Sequence, residues 1–246
     1  MMASPTKLQS PKESPPVSSP SANSLKGATV AFDLDGTLVD TAPDLVGALN
    51  GVLHEQGLAA LPLSVARVMV GRGARALIEQ GFSAAGATLD PEAATGLVTR
   101  FIDLYRTRIA RESRPFEGVE AVLDRLDAAG AVLVVCTNKR TDLSLALLDA
   151  LGLTHRFVAV IGADLAPAPK PDASHLFAAI AAAGGRPSRA VMVGDSASDI
   201  GAARAAGVPS VAVSFGYTEI PAADLGADVV IDGFDALPAV IGRLLG

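Results

Sequence analysis

Two carboxylates, Asp33 and Asp35, stand one residue apart at the end of an apolar run over residues 28–32. Because successive side chains of a strand point to opposite faces, Asp33 and Asp35 would lie on the same side of a strand ending there. Gly36 follows at once and permits a turn that would be strained for a residue with a Cβ. Two like charges this close are unfavourable unless a cation or a proton lies between them, so the pair indicates a functional site.

Polar residues also follow the other predicted strands of the chain. Thr137 and Asn138 come after the second apolar run, Lys170 comes after the third, and Asp195 comes after the fourth. With the first pair of carboxylates, Asp195 would complete an acidic cluster that suits a hard divalent cation, Mg²⁺ first. Thr137, Lys170 and backbone amides near Asn138 would bind a phosphate group. Together these residues predict phosphoryl-transfer chemistry.

An aspartate can be the nucleophile in such chemistry. Attack by Asp33 on phosphorus would form an aspartyl-phosphate intermediate. Asp35 would then be placed to protonate the departing oxygen and later to deprotonate the hydrolytic water. The metal ion and Lys170 would neutralise the phosphoryl oxygens. The predicted reaction is therefore the hydrolysis of a phosphate ester.

The elements that must position these residues follow two patterns. After residue 114, short and uniformly apolar strands alternate with helices, which predicts an α/β fold with a parallel sheet covered on both faces. Ligands of such folds bind beyond the carboxyl ends of the strands, where the polar residues stand. Between residues 44 and 113 the apolar residues recur at helical spacing throughout. We therefore predict a core made of residues 27–43 and 114–246, with an all-helical insert over residues 44–113.

Composition narrows the class of protein. The chain has 246 residues, half of them hydrophobic, and a net charge of −6, which argues against a nucleic-acid or anionic-membrane surface. The single cysteine, Cys136, cannot form an internal disulfide and favours a reducing cytoplasm. Residues 1–26 are rich in Ser and Pro, which predicts a disordered tail. We expect a cytoplasmic protein that acts on a small molecule, as a monomer or a homodimer.

Four short motifs carry the chemistry, in the chain order Asp33-Leu34-Asp35-Gly36-Thr37, Thr137-Asn138, Lys170-Pro171 and Gly194-Asp195-Ser196-Ala197-Ser198-Asp199. They resemble the four motifs of the haloacid dehalogenase superfamily of phosphatases, and the resemblance covers the whole chain after the tail. It implies a Rossmann-like, doubly wound core, a helical cap inserted after the first motif, and Mg²⁺ as cofactor.

The resemblance also implies a role for each acidic residue. Asp33 would be the nucleophile and a metal ligand, while Asp35 would be the general acid and base and bind the metal through its main-chain carbonyl. Asp195 would be a further Mg²⁺ ligand, and Asp199 would support the metal or the lysine of the third motif.

The remaining motif residues would bind the phosphoryl group: Thr137, Asn138 and Lys170. Within the superfamily, a closer resemblance is to bacterial phosphoglycolate phosphatases, through segments 70–74, 135–139, 202–207 and 215–217. The implied substrate is 2-phosphoglycolate. Arg72 stands in the cap where that group is expected to have a smaller polar residue, and it could meet a substrate carboxylate at a helix N-terminus.

Other functions remain open on the same residues. A capped phosphatase or phosphomutase acting on a sugar phosphate, sugar acid phosphate, nucleotide or pyrophosphate would need the same core, since a fold does not choose a substrate. A halide-releasing enzyme is disfavoured, because that chemistry needs neither Asp35 nor a metal. A phospho-acceptor signalling module shares the acidic cluster, but such modules are shorter and have no helical insert.

Overall fold

The structure, a computed structural model, describes residues 25–218 and 220–246. Most of the predicted tail, residues 1–26, lies outside the described residues. Leu25 and Lys26 are described, and Leu25 is buried in the core, where its N–H donates to the carbonyl of Ala129 over 2.9 Å. The predicted start of the core at residue 27 is therefore late by at least two residues. In the described part of the chain, every helix is too short or too polar to cross a membrane.

A six-stranded sheet forms the centre of the fold. In chain order the strands are β1 Thr29–Phe32, β2 Val39–Asp40, β3 Arg114–Pro115, β4 Val132–Thr137, β5 Ala159–Gly162, β6 Ala190–Gly194, β7 Ser210–Val213 and β8 Val229–Ile231. The sheet has the order β5-β4-β1-β6-β7-β8 with every neighbouring pair parallel, and β2 pairs with β3 apart from it. The order reverses between β1 and β6, which is where open α/β sheets bind ligands. The predicted parallel sheet is confirmed.

Helices cover both faces of this sheet. Those of the described residues are α1 Ala42–Glu55, α2 Leu63–Ala66, α3 Ala74–Ala84, α4 Pro91–Arg106, α5 Val119–Ala128, α6 Thr141–Ala150, α7 Ala173–Ala182, α8 Ala197–Ala206 and α9 Leu237–Leu245. Val30 and Phe32 of β1 pack with residues of α5 and α9, whereas Ala31 packs with residues of α7 and α8. This alternation is what a strand buried on both faces requires.

Helices α1–α4, here called the helical segment, form an apolar cluster that Leu143 of α6 and Tyr217 after β7 also join. Leu49 and Leu53 of α1 are buried in the same cluster as Phe101 and Tyr105 of α4. The chain enters the segment after β2 and returns through β3, and the two strands pair antiparallel. Each of these strands has only two residues, which is too short to show a periodicity, so they are not predictable from the sequence. The helical pattern also stops earlier than predicted, because residues 107–112 form turns and bends.

A buried carboxylate, Asp44, ties the two ends of the helical segment together. Its Oδ2 accepts hydrogen bonds from the backbone N–H groups of Glu112 and Ser113 over 2.9 and 2.8 Å, and from the Ser113 hydroxyl over 2.7 Å. Burial raises the pKa of Asp44, but these hydrogen bonds and one from Arg108 outweigh burial and hold the pKa below its usual range. Folding therefore favours the ionised carboxylate.

We predict that Asp44→Asn lowers the free energy of unfolding at pH 7 by about 2 kcal/mol, or about 4–8 °C in Tm. Because the folded-state pKa is depressed, the wild-type advantage is present above the unfolded-state value of about 4 and is lost as the pH falls through the folded-state value. Thermal unfolding of the two proteins across the acid range measures it. Asp127→Asn at an exposed position is the control, and a deficit that is the same at every pH would contradict the linkage.

Candidate active site

Lys170 connects two strands and the start of a helix at the carboxyl edge of the sheet. Its buried ammonium donates to Asp33 Oδ1 after β1 over 2.7 Å, to the Cys136 carbonyl in β4 over 2.7 Å, and to Asp199 Oδ1 in α8 over 2.6 Å. A lysine ammonium has three N–H donors, so all of them are used. The structure thus brings together Asp33, Lys170 and Asp199, as the motifs predict.

Asp199 also closes the N-terminus of α8. Its Oδ2 accepts from the backbone N–H and the hydroxyl of Ser196 over 2.9 and 2.7 Å, and from the backbone N–H of Asp195 over 3.2 Å. Carboxylates are favoured at helix N-termini because free amides point there. One side chain therefore holds both the helix start and Lys170.

Asp195 lies buried against two loops that approach it closely. Thr37 donates its hydroxyl to Oδ1 over 2.8 Å, and the backbone N–H of Tyr217 donates to Oδ2 over 2.7 Å. A Cβ at Gly36, whose φ is +89°, or at Gly216 would collide with the Asp195 side chain. Glycine at these two positions is therefore what lets the loops after β1 and β7 reach the carboxylate.

These groups leave the site rich in negative charge. Carboxylate oxygens of Asp33, Asp195 and Asp199 lie within 4.8 Å of one another, and one lysine compensates the three. Burial raises the pKa of Asp33 to about 7, with the charges of Asp199 and Asp35 adding to the effect and Lys170 opposing it. Burial and the charges of Asp199 and Asp33 raise the pKa of Asp195 well above its usual range. Hard oxygen ligands with uncompensated charge fit a divalent cation such as Mg²⁺.

Asp35 has a lysine of its own. Lys139 Nζ lies 3.0 Å from both carboxylate oxygens of Asp35, and Thr41 donates its hydroxyl to Oδ1 over 2.7 Å. Burial lowers the pKa of Lys139, but Asp35 and the nearby Tyr105 raise it above its usual range, so the ammonium stays charged. Lys139 is not among the residues predicted for the site. The amino-acid composition could have indicated it, because Lys139 and Lys170 are the only lysines after residue 28.

Thr137 and Asn138 lie where β4 ends, close to both lysines. The Thr137 hydroxyl accepts from the Lys139 backbone N–H over 3.2 Å. Asn138 Oδ1 accepts from the Lys170 backbone N–H over 2.9 Å, and its Nδ2 donates to the Lys170 carbonyl over 3.1 Å. His175 Nδ1 accepts from the same Lys170 N–H over 3.2 Å. The Asn138 side chain therefore holds the backbone of Lys170. Only the main chain of Asn138 is then left for the predicted phosphate contact.

A cavity of about 70 Å³ lies between these strand ends and the helical segment. Polar residues of the sheet edge line one part of it, and apolar side chains of the helical segment line another: Leu45, Val70, Leu77 and Phe101. Gly71 and Gly73 contribute to its wall, whereas Arg72 between them is exposed and does not line the cavity. Four of the predicted site residues thus line the cavity: Asp33, Asp35, Thr137 and Asn138. Lys170, Asp195 and Asp199 lie beside Asp33, and the Arg72 side chain stays outside.

Comparison with known proteins agrees with this geometry. Residues 30–213 match the family described as haloacid dehalogenase-like hydrolases. A phosphoglycolate phosphatase of Caulobacter vibrioides is 64% identical over 90% of this chain and 93% of its own length, and one of Agrobacterium fabrum is 47% identical over 87% and 92%. The crystal structure of a predicted phosphoglycolate phosphatase from Haemophilus somnus superposes with a TM-score of 0.81 at 29% identity, covering 88% of this chain and 98% of that one.

We predict that saturating Mg²⁺ raises Tm more at pH 8 than at pH 6. The pKa of Asp33 is higher in the folded protein than in the unfolded chain. The metal-free protein therefore loses stability as the pH rises from about 4 through about 7, because the buried carboxylate becomes charged. A bound cation offsets that loss. Ligand at 100 times its Kd adds about 2.7 kcal/mol. Differential scanning fluorimetry with and without MgCl₂ measures the shift.

Asp195→Asn should remove most of this shift and should itself raise the Tm of the metal-free protein, because it removes one buried like charge. Asp127→Asn, at an exposed position, serves as the control. A Mg²⁺ shift that is independent of pH and is kept in Asp195→Asn would place the cation elsewhere.

Proposed function

The chain belongs to the haloacid dehalogenase-like hydrolases, and we propose that it is a Mg²⁺-dependent phosphatase that cleaves 2-phosphoglycolate to glycolate and phosphate. The observation that carries the reaction class is Asp33, held by Lys170 beside two further buried carboxylates. The choice of substrate is supported by the relatives named phosphoglycolate phosphatase, one of them 64% identical to this chain.

Asp33 is the proposed nucleophile. Lys170 fixes its carboxylate through Oδ1 and thereby aims the side chain beyond the end of β1. Attack on phosphorus forms the Asp33–phosphate bond as the bond from phosphorus to the glycolate oxygen breaks. A water molecule then attacks the same phosphorus and releases phosphate and the free Asp33 carboxylate.

Asp35 is the proposed proton carrier for both halves of the reaction. It lines the same cavity as Asp33, and Lys139 and Thr41 hold its carboxylate. As an acid it gives a proton to the departing glycolate oxygen, and as a base it takes one from the hydrolytic water. The proton that Asp35 gives up in the first step is thus replaced in the second.

Charge neutralisation falls to the remaining groups. We assign the metal to the carboxylates of Asp33 and Asp195 and the main-chain carbonyl of Asp35; when bound, Mg²⁺ would supply positive charge to the phosphoryl oxygens. Thr137 and Lys170 are the proposed ligands of those oxygens. Asn138 acts on the same group by holding the Lys170 backbone in place.

The helical segment is the proposed cap, and its apolar wall would exclude bulk water from the reacting groups. We place the enzyme in the cytoplasm, because its single cysteine suits a reducing compartment. The proposed oligomeric state is a monomer or a homodimer.

Asp33→Asn tests the nucleophile. An amide cannot form the acyl phosphate, so we expect kcat to fall by about 10³-fold or more. Phosphate release measures this, and acid-quenched protein should carry label from ³²P-substrate in the wild type alone. Undiminished turnover in a well-folded Asp33→Asn protein would remove Asp33 from this role.

A panel of phosphate esters tests the substrate. We expect kcat/KM for 2-phosphoglycolate to exceed the values for glucose 6-phosphate, a nucleoside monophosphate and pyrophosphate by at least about tenfold, and EDTA to abolish all four activities. If a sugar phosphate or pyrophosphate leads the panel instead, the substrate assignment fails while the phosphatase assignment stands.

A further inference from the structure

The cavity beside the proposed nucleophile has an unusual distribution of charge. Among the described residues that line it, those of the helical segment are all uncharged. Positive charge comes from two residues that follow β4, Lys139 and Arg140. Arg140 is exposed and pairs with Asp142 over 3.0 Å. The cation available inside the cavity is therefore Lys139.

Lys139 keeps one donor that its carboxylate partner does not need. Its Nζ reaches the two oxygens of Asp35, which uses two of the three N–H groups of the ammonium. The same nitrogen lies 4.4 Å from the ring centroid of Tyr105, a residue of α4 on the opposite wall. Asp35 therefore leaves one N–H of the ammonium for another acceptor.

The hydroxyl of Tyr105 is the second unusual feature. The whole residue is buried, its side chain lines the cavity, and its hydroxyl has no hydrogen-bond partner among the described residues. A buried hydroxyl without a partner costs free energy, so such a group in a cavity wall points to a ligand.

We propose that the Lys139 ammonium and the Tyr105 hydroxyl bind the carboxylate of the substrate's leaving group; this rests on the proposed function. An ammonium and a phenol hydroxyl are both donors, and a carboxylate has two oxygens to accept from them. The apolar side chains around them exclude competing water, and an uncharged leaving group satisfies the two donors less well than a carboxylate does. Lys139 and Tyr105 would then be the residues that select for an acidic leaving group, in place of Arg72.

The pairing also links the two halves of the molecule. Lys139 belongs to the sheet edge and Tyr105 to the helical segment, so a carboxylate between them would bridge both. Specificity would thus depend on the helical segment being in place over the sheet edge.

The test compares two phosphate esters with the same number of carbon atoms, 2-phosphoglycolate and 2-hydroxyethyl phosphate. The first has a carboxylate where the second has a hydroxymethyl group. The readout is the ratio of their kcat/KM values. We expect Tyr105→Phe and Lys139→Met each to lower this ratio by at least about tenfold. Arg75→Met, which removes an exposed cation outside the cavity, should leave the ratio within about twofold of wild type.

The ratio separates recognition from a merely structural role. If Lys139 only positions Asp35, both esters lose activity equally, the ratio stays, and the inference is overturned. An equal or larger loss of the ratio in Arg140→Met would overturn the assignment to Lys139. Should Lys139→Met not fold, Tyr105→Phe decides alone, since it removes a single hydroxyl. A wild-type enzyme with no preference between the esters would instead overturn the substrate assignment, and this inference with it.

Discussion

The structure of the site depends on one constraint, the compensation of buried negative charge at the carboxyl edge of the sheet. Lys170 uses all three N–H donors to hold Asp33, Asp199 and the main chain of β4. Two strands and one helix start are thereby fixed relative to one another. A buried ammonium without these partners, or a buried carboxylate without the ammonium, would be strongly destabilising. The position of the proposed nucleophile is therefore coupled to the integrity of the whole edge.

The same constraint accounts for the backbone around the site. Asp195 adds a further buried carboxylate, and the loops that donate to it approach through Gly36 and Gly216, where a Cβ would collide with it. Asn138 and His175 both hold the backbone N–H of Lys170. Groups without a direct part in the chemistry thus position the charged ones. The residual negative charge is what makes the edge suited to a divalent cation.

Much of this arrangement could be predicted from the sequence, for a geometric reason. The carboxyl ends of parallel strands lie on one edge, so polar residues placed after apolar runs must gather there, as Asp33, Lys170 and Asp195 do. The direction of a side chain in a loop beyond the strand follows no periodicity. The pairing of Lys139 with Asp35 and the exposure of Arg72 therefore could not be predicted. The unpartnered hydroxyl of Tyr105 depends on how the helical segment packs against the sheet edge, which no local pattern encodes.

The amino-acid composition reflects the site most clearly in where the chain uses lysine. After residue 28 the chain uses arginine for nearly all its cations, and its two lysines, Lys139 and Lys170, are both buried at the site. A guanidinium is planar and wide, with donors spread over a fork, whereas an ammonium is a compact charge with three donors in a cone. Lys170 needs that cone to reach two carboxylates and a carbonyl at once. Lys139 meets both oxygens of Asp35 and the face of Tyr105 within the same small volume. Replacing either by arginine would keep the charge and lose the geometry, so the shape of the cation, as much as its sign, organises this site.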